Sequence, residues 1–159
     1  MMNDNAQSSG QQQVFEIQKI FQKDISFEAP NSPQIFTQEW KPDTNVQITT
    51  ESKKLEENVQ EVVLNITVTT KSGDKTAYLV EIQQAGIFTM KGFAEQQLGH
   101  LLGSYCPNIL FPFARELVAE LIAKGGFPHL LLAPVNFDAL YAQHQQHLKQ
   151  EVQSSKAAH

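Results

Sequence analysis

The sequence predicts an α+β fold in one domain, with an antiparallel sheet first and helices after it. Apolar and polar residues alternate between about residues 46 and 88, which is the period of a half-buried strand. Beyond residue 94 the apolar residues recur at helical spacing. Strands followed by helices are typical of α+β architecture. The chain has 159 residues, of which 41% are hydrophobic, so it can bury one core.

The first strand is predicted over Val14–Phe21, and the residues after it force an irregular crossover. Pro30, Asn31 and Pro33 stand close together there, and such residues interrupt regular structure. A second strand is predicted over Val46–Ser52, where Val, Ile and Thr alternate with polar neighbours.

A hairpin is predicted next. Val59–Thr70 forms one strand, Ser72–Lys75 supplies turn residues, and Thr76–Phe88 returns. These strands make an antiparallel meander the simplest sheet. The third strand is predicted to place four apolar residues on one face, namely Val62, Leu64, Ile66 and Val68.

The helical half begins with a helix predicted over Ala94–Tyr105, which Pro107 is expected to interrupt. A helix over Ile109–Lys124 resumes, and Pro112 is tolerable there only in a first turn or at a kink. Gly125 and the glycine after it stop this helix. We therefore expect one long, kinked helix.

An apolar loop and a last helix complete the predicted domain. Phe127–Pro134 is too apolar for an ordinary exposed loop, and Asn136 is a good N-cap for an amphipathic helix that ends at about Leu148. The polar segments at the two ends, residues 1–13 and 149–159, are predicted to be a disordered tail and a flexible tail. The domain itself is predicted to span residues 14–148.

Composition excludes several classes of partner. The net charge is −5, from 17 acidic and 12 basic residues, so we expect no nucleic acid partner. No apolar run reaches the length of a membrane span, and the N-terminus has no secretory pattern, so we expect a soluble protein that does not insert into membranes. A single cysteine agrees with a reducing cytoplasm.

Three segments closely resemble the SecB family of bacterial export chaperones: Lys23–Asn31, Cys106–Leu117 and Ala133–Leu140. The resemblance covers roughly residues 15–141. Shorter motifs between these segments keep the order and spacing of the family, namely Trp40–Pro42, Glu61–Leu64, Glu81–Phe88 and Gly126–Pro128.

The resemblance implies a function without enzymatic activity. A chaperone of this family binds unfolded secretory precursors in apolar grooves, needs no ATP or other cofactor, and delivers its clients to the translocation motor SecA. It works in the cytoplasm as a homotetramer, a dimer of dimers. We therefore expect no catalytic residue and no metal site in this chain.

The sharpest predicted site is acidic. Period two places Leu79 and Glu81 on one face of their strand, and the charge at Glu81 makes that face the solvated one. By resemblance, this face joins Asp24 and Glu28 to receive the basic, zinc-bearing tail of SecA. Spacing alone favours ordinary surface carboxylates at these positions.

Two further sets of residues are predicted from the resemblance. Gly99, Leu102 and Gly103 lie on the first helix, where small residues let another helix approach, so we expect them at the oligomer interface. The candidates for client grooves come from the crossover, the sheet and the apolar loop, and core packing is an equal alternative for each: Trp40, Val46, Ile48, Phe88, Phe127, Leu130, Leu131 and Leu132.

Other interpretations have less support. Cys106 and His100 lie on nearly opposite faces of a helix, so Cys106 is interpreted as buried packing. His144, His147 and Glu151 have spacing that could reach one metal, although a solvated polar face is the better interpretation. The remaining alternatives are a SecB-like chaperone dedicated to a toxin–antitoxin system and a small-ligand-binding domain. The C-terminal tail also lacks the acidic character of many relatives.

Overall fold

A computed structural model of the chain describes residue 10 and residues 12–158. The predicted N-terminal tail lies almost wholly outside these residues. The α+β class is confirmed, with four strands ahead of the helices. In chain order the elements are β1 Val14–Glu28, β2 Pro42–Glu56, β3 Val59–Ser72, β4 Lys75–Lys91, α1 Glu95–His100, α2 Cys106–Lys124 and α3 Phe137–Ala157.

The four strands form one antiparallel sheet in the order β1-β4-β3-β2. The last three strands make the predicted meander, and β1 lies at the far edge beside β4. The chain therefore crosses from one edge to the other between β1 and β2. This crossover contains a short 3-10 turn, Gln34–Thr37, which buries Ile35. Asn31 Nδ2 donates to the carbonyl oxygen of Thr76 over 2.8 Å and so fastens the crossover to β4.

The core lies between one face of the sheet and α2. The four predicted residues of β3 are buried on this inner face, and alternate residues of β4 join them. Gly86 lets α2 approach closely, because a Cβ there would lie 2.7 Å from the Phe88 ring and 3.1 Å from Leu110. No helix among the described residues packs on the opposite, outer face.

The strands are longer than predicted. β1 continues for seven residues beyond Phe21, with irregularities at Gln18 and Lys23 that interrupt simple alternation. β2 begins at Pro42 and is exposed over most of its length. Both strands lie at sheet edges, where one side of the backbone makes no ladder hydrogen bonds within the chain.

Pro107 does not interrupt the first long helix, contrary to the prediction. The helical path continues from α1 through a π-helical turn, Leu101–Tyr105, into α2, where Pro107 occupies the first turn. The Cys106 N–H donates to the Leu101 carbonyl oxygen, the wider spacing of a π-turn. Because the helical path is continuous, the missing N–H of Pro107 leaves one backbone hydrogen bond unmade, and the wider π-helical turn lies directly before it. Pro112 lies inside α2.

The last helix is capped as predicted but ends later. Asn136 Oδ1 accepts the Ala139 N–H over 3.0 Å, and α3 extends to Ala157. The predicted end at about Leu148 was therefore wrong, because polar residues after it are good helix formers that need no buried face. The flexibility of residues 149–159 stays a prediction. Within the described residues no helix is both long and apolar enough to cross a bilayer.

Candidate functional site

The four residues of the predicted acidic site lie together on the outer face. Ser26 of β1 is directly opposite Glu81 of β4, and Glu28 is opposite Leu79. Asp24 lies opposite the residue two positions after Glu81. Directly opposed residues share a face, and diagonal neighbours are about 7 to 8 Å apart. We call this group of Asp24, Glu28, Leu79 and Glu81 the acidic patch.

The acidic patch is open to solvent. Its three carboxylate side chains belong to exposed residues, and Leu79 between them is half-buried. Within the described residues no Lys, Arg or His nitrogen lies within 4.0 Å of these carboxylates. The patch therefore combines unpaired negative charge with a small apolar surface, which suits a positively charged partner.

An aromatic cluster joins the crossover to the loop after α2. The Phe127 ring lies 5.0 Å from Phe36, 5.8 Å from Trp40 and 4.9 Å from Tyr78, between ring centroids. Phe36 in the crossover is 50% exposed, and Leu131, in the same loop as Phe127, is 60% exposed. We call exposed Phe36 and Leu131, with half-buried Trp40, the apolar surface.

The predicted groove residues divide by exposure. Val46 and Leu131 are exposed, and Trp40, Ile48 and Leu130 are half-buried. The remaining three, Phe88, Phe127 and Leu132, are buried in the core. For these three residues the alternative interpretation, core packing, therefore describes the structure. They are the weakest groove candidates.

Phe36 and Ile25 were missed from sequence. Phe36 lies in the segment that the sequence predicts only as an irregular crossover. A large aromatic residue among prolines was the available signal. Ile25 is on the inner face opposite Ile82, yet it is 47% exposed because β1 is an edge strand.

A cavity of about 530 Å³ lies between β2, the π-helical turn and α3. Its walls mix apolar and polar side chains, so it differs from a dry core void. Ile48, a predicted groove residue, lines it on the strand side, and Leu102 and Tyr141 line it on the helix side.

Tyr141 of α3 lies on the two glycines of the predicted oligomer interface. A Cβ at Gly99 would be 2.9 Å from the Tyr141 hydroxyl oxygen, and one at Gly103 would overlap its ring. Both glycines therefore allow close approach of a helix from the same chain. Their role in assembly, with that of half-buried Leu102, stays a prediction.

Asp138 anchors the start of α3. His100 Nε2 lies 2.8 Å from Asp138 Oδ1, and the Ser104 hydroxyl donates to the same oxygen. The Ser104 hydrogen bond, followed by the His100 contact, holds the pKa of Asp138 below its ordinary value. The imidazole and the hydroxyl both bond to the carboxylate and not to each other. These contacts join α3 to the end of α1 and to the π-helical turn.

Cys106 is buried, as predicted. Its side chain is inaccessible to solvent, and desolvation raises the pKa of its thiol to about 12. The thiol is therefore protonated at neutral pH and packs as a small apolar group.

Comparison with known proteins identifies the family. The family described as preprotein translocase subunit SecB matches residues 8–148. The protein-export protein SecB of Nitrosococcus oceani is 64% identical over 146 residues, which cover 91% of this chain and 89% of that protein. The protein-export protein SecB of Hahella chejuensis is 50% identical and covers 99% and 100% of the two chains.

A solved structure is similar in fold. The SecB-like chaperone of Mycobacterium tuberculosis, in complex with a peptide from the HigA1 antitoxin, gives a TM-score of 0.65 at 13% identity. The similarity covers 76% of this chain and 90% of that one. At this identity the likeness concerns the fold alone, whereas the relatives at 50–64% identity are export proteins, so the dedicated antitoxin alternative is not favoured. The chain belongs to the SecB family of protein-export chaperones.

Proposed function

We propose that this export chaperone holds unfolded precursor proteins on its apolar surface and delivers them to SecA through its acidic patch. The single observation that carries the proposal is the division between the faces of the sheet. Exposed apolar residues accompany the helices and loops on the inner side, while the carboxylates of the acidic patch lie on the uncovered outer side. Two partners can therefore be bound at once.

The apolar surface fits a client without fixed shape. Phe36 and Leu131 are exposed, and Val46 adds another exposed apolar side chain on β2. Large exposed apolar patches mark interaction sites in soluble proteins. Several separate contacts, each weak, give combined affinity when one chain engages them together. A client needs only apolar segments to use them, so sequence tolerance follows.

Holding a client requires no ATP. A chaperone that binds the unfolded state and not the folded state lowers the concentration of free unfolded chain by mass action. Folding of the client slows accordingly, and release follows when the motor takes over the precursor.

The acidic patch fits SecA. Its carboxylates have no basic partner within the described residues, so their charge is available to a positively charged tail. Attraction between exposed charges steers the encounter and is screened over about 8 Å at 0.15 M salt.

Assembly into a homotetramer is part of the proposal. Both edge strands, β1 and β2, present unpaired backbone groups that a second chain can cover. Four chains of 17.8 kDa make about 71 kDa. The tetramer works in the cytoplasm, where it binds precursors before they are exported.

Glu81→Lys tests the proposal. We expect SecA binding to weaken by at least about tenfold, because repulsion replaces attraction at the centre of the acidic patch. Binding of an unfolded precursor should be unchanged, since Glu81 points away from the inner side. Isothermal calorimetry with each partner, at low and at high salt, measures both.

Glu51→Lys is the matched control. Glu51 is exposed on the same outer face but on β2, two strands away from Glu81. The substitution Glu51→Lys makes the same change of charge outside the acidic patch. Equal loss of SecA binding in the two variants would mean that the overall negative charge, and not the acidic patch, attracts SecA. Unchanged binding in Glu81→Lys would show that SecA docks elsewhere.

A further inference from the structure

β1 carries a bulge at Lys23, directly before the residues of the acidic patch. Gln22 pairs with Gln84 and Asp24 pairs with Gln83, so Lys23 is an extra residue with no partner of its own on β4. An inserted residue shifts the alternation of side chains in the rest of the strand by one position. Gln22 therefore lies on the inner face, and Asp24, two positions later, lies on the outer face.

An unbroken strand would reverse this arrangement. With strict period two, Asp24 shares the inner face with Gln22, and Ile25 and Phe27 turn to the outer face. In the structure the inner face keeps the two apolar residues, and Asp24 lies beside Glu81. The bulge is therefore the feature of β1 that assembles the acidic patch.

The outer side of the bulge is held by an ion pair. Lys23 Nζ lies 3.1 Å from Glu61 Oε1, so the side chain spans β4 and reaches β3. Glu61 is opposite Ile87 on the outer face, and its side chain is only 14% exposed. A partly buried pair is screened less by salt than an exposed one. The pair ties the extra residue of an edge strand to an interior strand.

The inner side of the bulge is held by two amides. Gln22 Nε2 donates to Gln84 Oε1, and Gln84 Nε2 donates to the Phe21 carbonyl oxygen over 3.2 Å. Gln84 is 2% exposed, so water competes little for these hydrogen bonds. The bulge is therefore fixed from both faces of the sheet.

We propose that Lys23 is a positioning residue for SecA docking: its ion pair with Glu61 holds the bulge that presents Asp24 and Glu28 beside Glu81. The proposal rests on the proposed function, because it assumes that the acidic patch receives SecA. Lys23 itself is a positive charge next to a site for a positive partner. Charge alone therefore makes it unfavourable for docking, and its benefit lies in geometry.

Lys23→Glu separates the two effects because they have opposite signs. If only charge mattered, the added negative charge would tighten SecA binding. Under the proposal, two like charges face each other across β4, the bulge loosens, and SecA binding weakens by about two- to fivefold. Calorimetry with full-length SecA measures the difference, and amide NMR shifts of residues 24–28 report the local backbone.

Two further variants control for charge. Lys19→Glu makes the same charge change on the same face of β1, where Lys19 has no ion pair within the described residues, so SecA should bind equally well or more tightly. The exchange Lys23→Glu with Glu61→Lys restores the pair in reverse at the parent net charge. It should return both the affinity and the amide shifts to the parent values.

Each outcome decides the matter. Equal or tighter binding by Lys23→Glu, or failure of the exchange variant to restore affinity, overturns the positioning role. Glu81→Lys, measured in parallel, distinguishes this from failure of the proposed function. If that variant also binds SecA as the parent does, the docking face is elsewhere; if it loses binding while Lys23→Glu does not, only the positioning role is wrong.

Discussion

The two faces of the sheet are built from the same four strands but are completed differently. On the inner face, α2 covers the central strands, and residues such as Leu64 and Val80 are fully buried. The outer face has no helix over it among the described residues. There, Glu81 is exposed, whereas Ala85 and Val63 are buried.

Under the proposed function, this contrast lets one sheet serve two kinds of partner. A side chain on the inner side meets either the core or the apolar surface at its margin, so its contribution is hydrophobic and changes little with salt. A side chain on the outer side remains in water, so its contribution is electrostatic and is screened. Under the proposed function, the face on which a side chain lies therefore decides which partner it can affect.

Gly103→Leu should have the largest effect, and it acts only on the helix layer of the inner side. A Leu side chain would overlap the Tyr141 ring, so α3 must move. We expect dimers in place of tetramers by light scattering, and stability lower by about 1 to 3 kcal/mol. SecA binding per chain should be retained if the outer face is independent.

Adding Tyr141→Ala to this variant distinguishes two causes. The second substitution removes the ring that the new side chain meets. Recovery of the tetramer would mean that the glycine acts through α3 of its own chain. Persistent dimers would mean that Gly103 itself faces another chain, and a wild-type monomer would contradict the tetramer altogether.

Leu131→Asp should have the next largest effect. Leu131 is 60% exposed on the apolar surface, so a client can bury it without unfolding the chaperone. Loss of that burial and desolvation of the new charge should weaken binding of an unfolded precursor about tenfold. SecA binding should be unchanged, as measured by calorimetry with each partner.

Leu55→Asp is the control for this substitution. Leu55 is 43% exposed near the end of β2, outside the crossover and the loop after α2. The Leu55→Asp variant should bind the unfolded precursor as tightly as the parent does. Equal weakening in both variants would indicate that any exposed apolar residue contributes and that the apolar surface has no special place.

The order of strands and helices could be predicted because periodicity reports burial directly. Alternation in β3 indicated the inner face correctly, and the charge at Glu81 indicated the outer one. Asn136 and the two glycines after Lys124 marked helix ends for reasons of local hydrogen bonding and backbone freedom.

The features that escaped prediction depend on contacts between distant segments. The bulge at Lys23 is held by Glu61 and Gln84, which lie far along the chain, so Asp24 could be assigned to the acidic patch only through family resemblance. Packing likewise determines the π-helical turn before Pro107 and the contact of the Tyr141 ring with Gly103. The exposure of Phe36 depends on how the crossover packs against the rest of the domain, which the local sequence does not determine.

The smallest expected effect concerns the carboxylate that anchors α3. Ser104 and His100 lower the pKa of Asp138, so its ionised form is favoured in the folded state. The resulting stabilisation is fully present above the ordinary aspartate pKa of about 3.9, and it is lost as pH falls through the lowered folded-state value. Asp138→Asn should therefore show a slightly smaller loss of melting temperature than the parent between neutral and acidic pH.

Carbon-13 NMR of the Asp138 carboxyl group measures the cause directly. Ser104→Ala should raise its pKa toward the ordinary value more than His100→Gln does, because the hydroxyl hydrogen bond is the larger influence. Neither variant touches the outer face, so SecA binding at neutral pH should match the parent. A change in SecA binding would mean that the start of α3 is coupled to the acidic patch through the sheet, and the independence of the two faces would then be wrong.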